Sequence, residues 1–200
     1  MVSNVVRMRR VEGRPEEMSD EALLAACATG EQAALAALFD RHHRTVLRFV
    51  ARAYGVDGAS ADDVLQVVFL EIYNHAARFE GRSAPLSWML GIAANVTRKH
   101  LRSAGRRARL VVAYGSDGTQ SQTPAEPDRA LERRERVARL QAAVDALPEA
   151  LREAFVLCDA EGVSGVEAAR ILNLKEGTLY RRLHDARRRL RAALGTLRES

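Results

Sequence analysis

The sequence predicts an all-α protein: two small helical domains joined by a flexible linker, the C-terminal one a helix-turn-helix. Three observations carry this. Apolar residues recur every three or four positions along most of the 200 residues. No run alternates convincingly enough to be a strand. A stretch rich in Gly, Ser, Thr, Gln and Pro interrupts the periodic sequence once, well past its midpoint. Only the short RLVVAY around Val111 raises a strand as an alternative.

Met1 to Met18 is polar and Arg-rich with no steady period and reads as a loosely ordered arm, tail or regulator. Ser19 or Asp20 can cap a short helix running to Thr29, where Gly30 breaks it. Leu35, Leu38, Phe39, Val46, Phe49, Val50 and Ala53 then trace one face of a long helix ending near Tyr54, and Gly55 to Ser60 reads as a turn.

The next helix, Ala61 to about Ala77, has Leu65, Val68, Phe69 and Ile72 on its core side. Its opposite side carries Asp63, Gln66, Val67 and Leu70, which mixes apolar groups with polar ones where water is expected. Two readings stay open: a surface for a protein partner, or a helix buried on most sides. Asp62 and Asp63 resemble part of an acidic metal motif, but no second acidic cluster completes it, and no metal is expected.

Gly81, Ser83 and Pro85 mark a loop, and a helix runs from Pro85 to about Ser103. Leu86, Leu90, Ala93, Thr97 and Leu101 share one side; Asn95, Arg98, Lys99 and Arg102 share the other. Asn can bond a base edge twice and Arg and Lys neutralise phosphate. Phe79 and Trp88 offer aromatic surface on which bases could stack, although Trp88 suits a core equally. This is one candidate nucleic-acid face.

Residues 104–132 change from basic to polar and then slightly acidic, as a linker does. Val137, Leu140, Val144 and Leu147 follow on a helix, Pro148-Glu149 opens another, and Phe155 and Leu157 help bury what comes next. The expected organisation is therefore an arm (1–18), a helical domain (19–103), the linker (104–132) and a C-terminal domain (133–196).

That last domain contains GVEAARILNLKEGTLYRRLHDARRRL. Ala168, Ala169, Ile171 and Leu172 form the buried side of a short helix, and Asn173 stands where a left-handed residue is wanted. In the second helix Leu179, Leu183, Ala186 and Leu190 face inward, leaving Tyr180, Arg181, His184, Arg187 and Arg188 on the free side. Donors and planar groups on an exposed helix are what major-groove reading needs.

Lys and Arg number 31 against 26 Asp and Glu, and the excess clusters at Arg98–Arg109 and in the final helix. No stretch suits a membrane span or signal peptide, so a cytoplasmic location without membrane insertion is expected. Cys27 and Cys158 stand far apart and read as buried small hydrophobes. His42, His43, His75, His100 and His184 have no paired ligand spacing, and no phosphate loop or nucleophile motif occurs. Neither an enzyme nor a cofactor is expected.

ADDVLQVVFLEIY, RFEGRSAPLSWMLGIAANVTRKHLR and ALPEALREAFVLCDAEGVSGVEAARILNLKEGTLYRRLHDARRRL, in that order, resemble bacterial RNA polymerase sigma factors of the extracytoplasmic-function group in the sigma-70 family. The likeness covers Ser19 to Leu194. It implies partners: core RNA polymerase, promoter DNA as duplex and as unpaired non-template strand, and an anti-sigma factor of the kind that commonly holds family members inactive. By resemblance, Asp63, Gln66 and Phe69 belong to the helix that docks on the polymerase clamp, Phe69 mostly by packing. Val67 and Leu70 add apolar area to that face. Asn95 would capture an unpaired minus-ten base, the loop Phe79–Leu86 would wall its pocket, and Arg98 and Lys99 would hold the strand. Tyr180, Arg181 and His184 would face minus-thirty-five bases, with Thr178, Arg182 and Arg188 near phosphates.

Three residues depart from the family pattern. Val67 follows Gln66 where Glu is usual, Lys175 replaces a hydroxyl-bearing cap, and Asp185 stands where a basic residue is common, a salt bridge to Arg181, Arg182 or Arg189 being one way to accommodate it. The competing reading is a free-standing helix-turn-helix regulator, which has no use for a base-capture pocket or an apolar outer face at Val67 and Leu70.

Overall fold

Ser19 begins the ordered helices by accepting the amide of Ala22 at 3.3 Å, the capping role its hydroxyl suits. A computed structural model describes the backbone of residues 14–56, 58–111 and 129–195. A 3-10 turn, Pro15–Glu17, precedes α1 (Asp20–Ala28); Gly30, at φ +95°, turns the chain into α2 (Gln32–Tyr54), which Gly55 ends at φ +66°. Helix α3 (Gly58–His75) starts earlier than expected. Only Gly55 takes a left-handed conformation there among the described residues, so Gly58 to Ser60 belong to the helix rather than the turn. A 3-10 turn (Ala76–Arg78) follows.

Helix α4 (Pro85–Val111) runs on past Ser103 into the expected linker. Arg109 to Val111 are helical, which removes the strand alternative for those residues. Arg and Ala favour helix without any apolar stripe to announce it. Helix α5 (Arg129–Asp145) likewise begins within the expected linker. The remainder of that linker, 112–128, and residues 1–13 of the arm lie outside the described residues. Helix α6 (Glu149–Phe155) passes into a π-helical turn (Val156–Ala160), followed by α7 (Gly165–Leu172) and α8 (Glu176–Gly195). No strand occurs among the described residues.

The chain forms two compact units. One comprises residues up to Arg48 with 57–96; the other comprises 49–56 with residues from Thr97 onward. The ends of α2 and α4, assigned by sequence to the first domain, thus cluster with the C-terminal helices.

In the first unit, Leu23, Leu24, Leu38, Val46, Val64, Val68, Ile72, Met89 and Leu90 are buried at 1 % exposure or less. Each buried side chain of this size contributes roughly 1.5–3 kcal/mol. Asp20 ties the first turn of α1 to α2, accepting from Arg41 Nη1 at 2.5 Å and lying 2.8 Å from His42 Nε2. Cys27, further along α1, is buried, and burial pushes its thiol up to about 11, with Glu31 adding to the rise.

In the second unit, α5, α6 and α7 pack on α8 through the expected Leu179, Leu183, Ala186 and Leu190. Leu157 is fully buried and Phe155 half-buried. On α5 Val144 packs, whereas Val137 and Leu140 are exposed; Leu147, expected on the same helix, is buried just past its end. Arg152 donates to the carbonyls of Ala53 and Asp145, each at 3.0 Å. Glu153 is 5 % exposed, and burial raises its carboxyl above the usual range; Tyr54 and Arg98 oppose that rise and Glu149 adds to it. Cys158 is half-buried, and burial raises its thiol as well.

Candidate nucleic-acid interface

Helix α3 turns Val68, Leu65, Ile72 and Phe69 inward. Phe69, 4 % exposed, sets its ring edge-on to Phe39 at 4.9 Å, so it supports the helix from behind rather than presenting itself. Asp63 and Gln66 are exposed, and Val67 and Leu70 are 46 % and 57 % exposed. Of the two readings left open for this helix, burial on most sides is therefore the one the geometry rejects within its own unit.

The loop before α4 brings Phe79 and Trp88 together with ring centroids 5.5 Å apart and an interplanar angle of 65°. Both are half-buried, so Trp88 is neither fully core nor a free platform. Along α4, Thr97, Ala93 and Leu90 are fully buried, while Asn95, Lys99 and Arg102 are exposed. Arg102 Nε donates to the carbonyl of Arg98 at 3.2 Å. Arg98 itself departs from the expected stripe. Its Nη2 donates to the carbonyl of Ile171 at 3.2 Å and its Nε stands 3.9 Å from Glu153 Oε1, all within the second unit.

The helix-turn-helix forms as its residues dictate. Ser164 caps α7, accepting from the amide of Glu167 at 3.3 Å and donating to that residue's carboxylate at 3.2 Å. Asn173 is left-handed at φ 54°, ψ 50°, and the amides of Asn173 and Leu174 close the helix onto Arg170 and Ala169 carbonyls. Helix α8 then begins at the Lys175 carbonyl, which accepts from Thr178 and Leu179 amides at 2.9 and 3.1 Å. The Lys175 side chain has no acceptor to offer, so the cap relies on backbone alone.

On α8, Thr178, Tyr180, Arg181, His184, Arg187 and Arg188 are exposed and Arg182 is half-buried. Arg187 does not stand free: Asp159 accepts its Nε at 2.9 Å and its Nη2 at 2.6 Å. Asp185 is paired with Arg188 at 3.4 Å, one turn along the helix, and not with the three arginines named for it from sequence. Beside this face lies an open cleft of about 590 Å³, walled by Leu140, Phe155, Leu190 and Leu194, to which Tyr180 and His184 also contribute.

Sequence reasoning missed the Asp159–Arg187 clamp, the inward turn of Arg98 and the cleft. The first two join residues 28 and 73 positions apart, which no local period reveals. No metal-ligating cluster of His, Cys, Asp and Glu occurs among the described residues, and no helix there is long and apolar enough to cross a membrane.

Comparison with known proteins bears on both units. Residues 38–107 match the family described as Sigma-70 region 2, and residues 138–190 match Sigma-70, region 4. The chain is 35 % identical to the ECF RNA polymerase sigma factor SigM of Mycobacterium tuberculosis over 185 residues, which is 92 % of this chain and 89 % of that one. Its backbone resembles the solved structure of CnrH in complex with the cytosolic domain of CnrY, with a TM-score of 0.62 and 26 % identity, over 88 % of this chain and 97 % of that chain. It also shares the fold of the sigma factor RpoE from Bartonella quintana, solved with the anti-sigma factor NepR, with a TM-score of 0.63 and 22 % identity, over 78 % and 94 % of the two chains.

Proposed function

This chain belongs to the extracytoplasmic-function sigma factors of the sigma-70 family, and from that membership we propose which of its faces bind core RNA polymerase and which read promoter DNA. As a sigma factor it binds core polymerase, directs it to specific promoters and assists promoter opening. The observation that carries the reading is the presence of both sigma regions, in order, on one chain. A free-standing regulator would need only the second, and that alternative is not favoured.

Asp63 and Gln66, with the uncovered apolar pair Val67 and Leu70, form the polymerase-docking face, and Phe69 holds its backbone from behind. An acidic contact is absent where Val67 stands, so apolar area does more of the docking. Asn95 takes an unpaired minus-ten base, with Phe79 and Trp88 bounding its pocket and Lys99 and Arg102 on the strand's phosphates. Extracting a base costs only a few kcal/mol of unstacking, which pocket contacts offset. Arg98 contributes to strand binding only after leaving Ile171 and Glu153.

The helix-turn-helix reads the minus-thirty-five element with Tyr180, Arg181 and His184, while Thr178, Arg182 and Arg188 lie near phosphates. Bond-making belongs to the polymerase in this division of labour, and the sigma chain acts without a cofactor in the bacterial cytoplasm, where polymerase works. The helices up to α4 and those from α5 onward serve as the two readers, with the segment between α4 and α5 as their connection. Run-off transcription with purified core polymerase on a promoter panel tests the whole: selective transcripts are expected, and duplex binding without initiation would refute it.

A further inference from the structure

Gly165 opens α7, directly after the capping Ser164, in ordinary helical backbone; the left-handed glycines among the described residues are Gly30, Gly55, Gly81 and Gly162. Backbone freedom therefore gives no reason for a glycine here. Space gives the reason. A Cβ at Gly165 would fall 2.5 Å from Tyr180 Oη, 2.8 Å from Cζ and 3.1 Å from Cε1. The phenol of α8 rests on the bare α-carbon of α7, yet Tyr180 remains 53 % exposed, so one part of the ring is seated and the rest faces solvent.

We propose that Gly165 is a specificity-determining positioning residue, which sets the place of the Tyr180 ring on the DNA-reading face without itself touching DNA. The inference rests on the reading of Tyr180 as a base-facing residue and extends it to a residue outside that face. A methyl at position 165 meets the far end of a rotatable side chain and not a backbone atom, so the ring swings away while α7 and α8 keep their packing through Ala168, Leu172, Leu179 and Leu183. The phenol then meets different base edges, and preference changes at the base pairs it faced. Phosphate contacts, which carry no sequence information, stay as they are.

The test uses full-length Gly165→Ala, Tyr180→Ala and the double variant, each in holoenzyme, transcribing promoters permuted at every minus-thirty-five base pair. Gly165→Ala should shift preference by roughly tenfold at the same base pairs that Tyr180→Ala affects. The double variant should match Tyr180→Ala alone. A Gly165→Ala profile identical to the parent, or an equal further shift in the Tyr180→Ala background, overturns the inference. A Tyr180→Ala profile identical to the parent removes both the inference and the base-facing assignment beneath it. Proton NMR separates the two levels: a ring-current shift at the Gly165 α-protons, lost in Tyr180→Leu, reports the contact without DNA, and its absence refutes the seat itself. Should Gly165→Ala melt early, recovery of melting in the double variant reports the same contact.

Discussion

Asp159 holds Arg187 through two hydrogen bonds, 2.9 and 2.6 Å long, so a guanidinium on the basic side of α8 already has a carboxylate partner. A bidentate pair of this kind competes directly with phosphate for the same donors. Asp159→Ala releases the cation, and duplex affinity should rise severalfold at low salt. The slope of log K against log salt should steepen by about 0.9, the effect of one added phosphate contact. Titrations at several salt concentrations check this, and an unchanged slope would show that Arg187 points away from DNA.

Asn95 is exposed on α4 between the buried Ala94 and Thr97 and the partly buried Val96. Asn95→Ala should slow open-complex formation by about tenfold, as expected for losing a base contact of roughly 1–3 kcal/mol, with little change in core polymerase affinity. Permanganate footprinting of the opened strand and a polymerase pull-down measure the two separately. Equal loss in both would argue against base capture.

Val67 and Leu70 expose apolar area with no partner in their own unit. Gln66→Ala combined with Leu70→Ala should weaken core polymerase association by roughly tenfold or more, since burying a Leu side chain supplies about 1.5–3 kcal/mol. Fluorescence anisotropy with labelled chain gives the dissociation constant. An unchanged value would place the docking face elsewhere.

Glu153 is held above its usual pKa chiefly by burial, against the opposing pull of Tyr54 and Arg98. Neither Tyr54 Oη nor Glu153 Oε1 completes a well-formed hydrogen bond among the described residues. The folded chain thus binds this proton more tightly than the unfolded chain does. The associated stability is full below the ordinary glutamate pKa and is lost as pH rises through the raised value. Glu153→Gln, which cannot ionise, should therefore gain on the parent as pH rises from about 4 to about 7.5. Urea unfolding at both pH values measures the difference; a constant gap would mean that the carboxyl titrates as it does in water.

Most helices were legible in the sequence because they bury an apolar row: in α8, Leu179, Leu183, Ala186 and Leu190 face inward as their spacing demands. The start of α3 was not, since Gly58 and Ser60 carry turn chemistry that the helix overrides. Nor was the end of α4, because AGRRARLV shows no stripe and extends by propensity alone. Ser164, Asn173 and their caps are local devices and could be read directly. The seat of Tyr180 on Gly165, the turn of Arg98 to Ile171 and the Asp159–Arg187 clamp depend on chain segments meeting in three dimensions. Placement of a residue on a face is thus readable from spacing, whereas its engagement by a neighbour is not.

Burial of the two sulfur atoms bears on their reactivity. Oxidants and electrophiles attack thiolate, and burial keeps the Cys27 proton in place up to about 11 while raising Cys158 too. At neutral pH both sulfurs are thereby biased toward the protonated thiol, the less nucleophilic form.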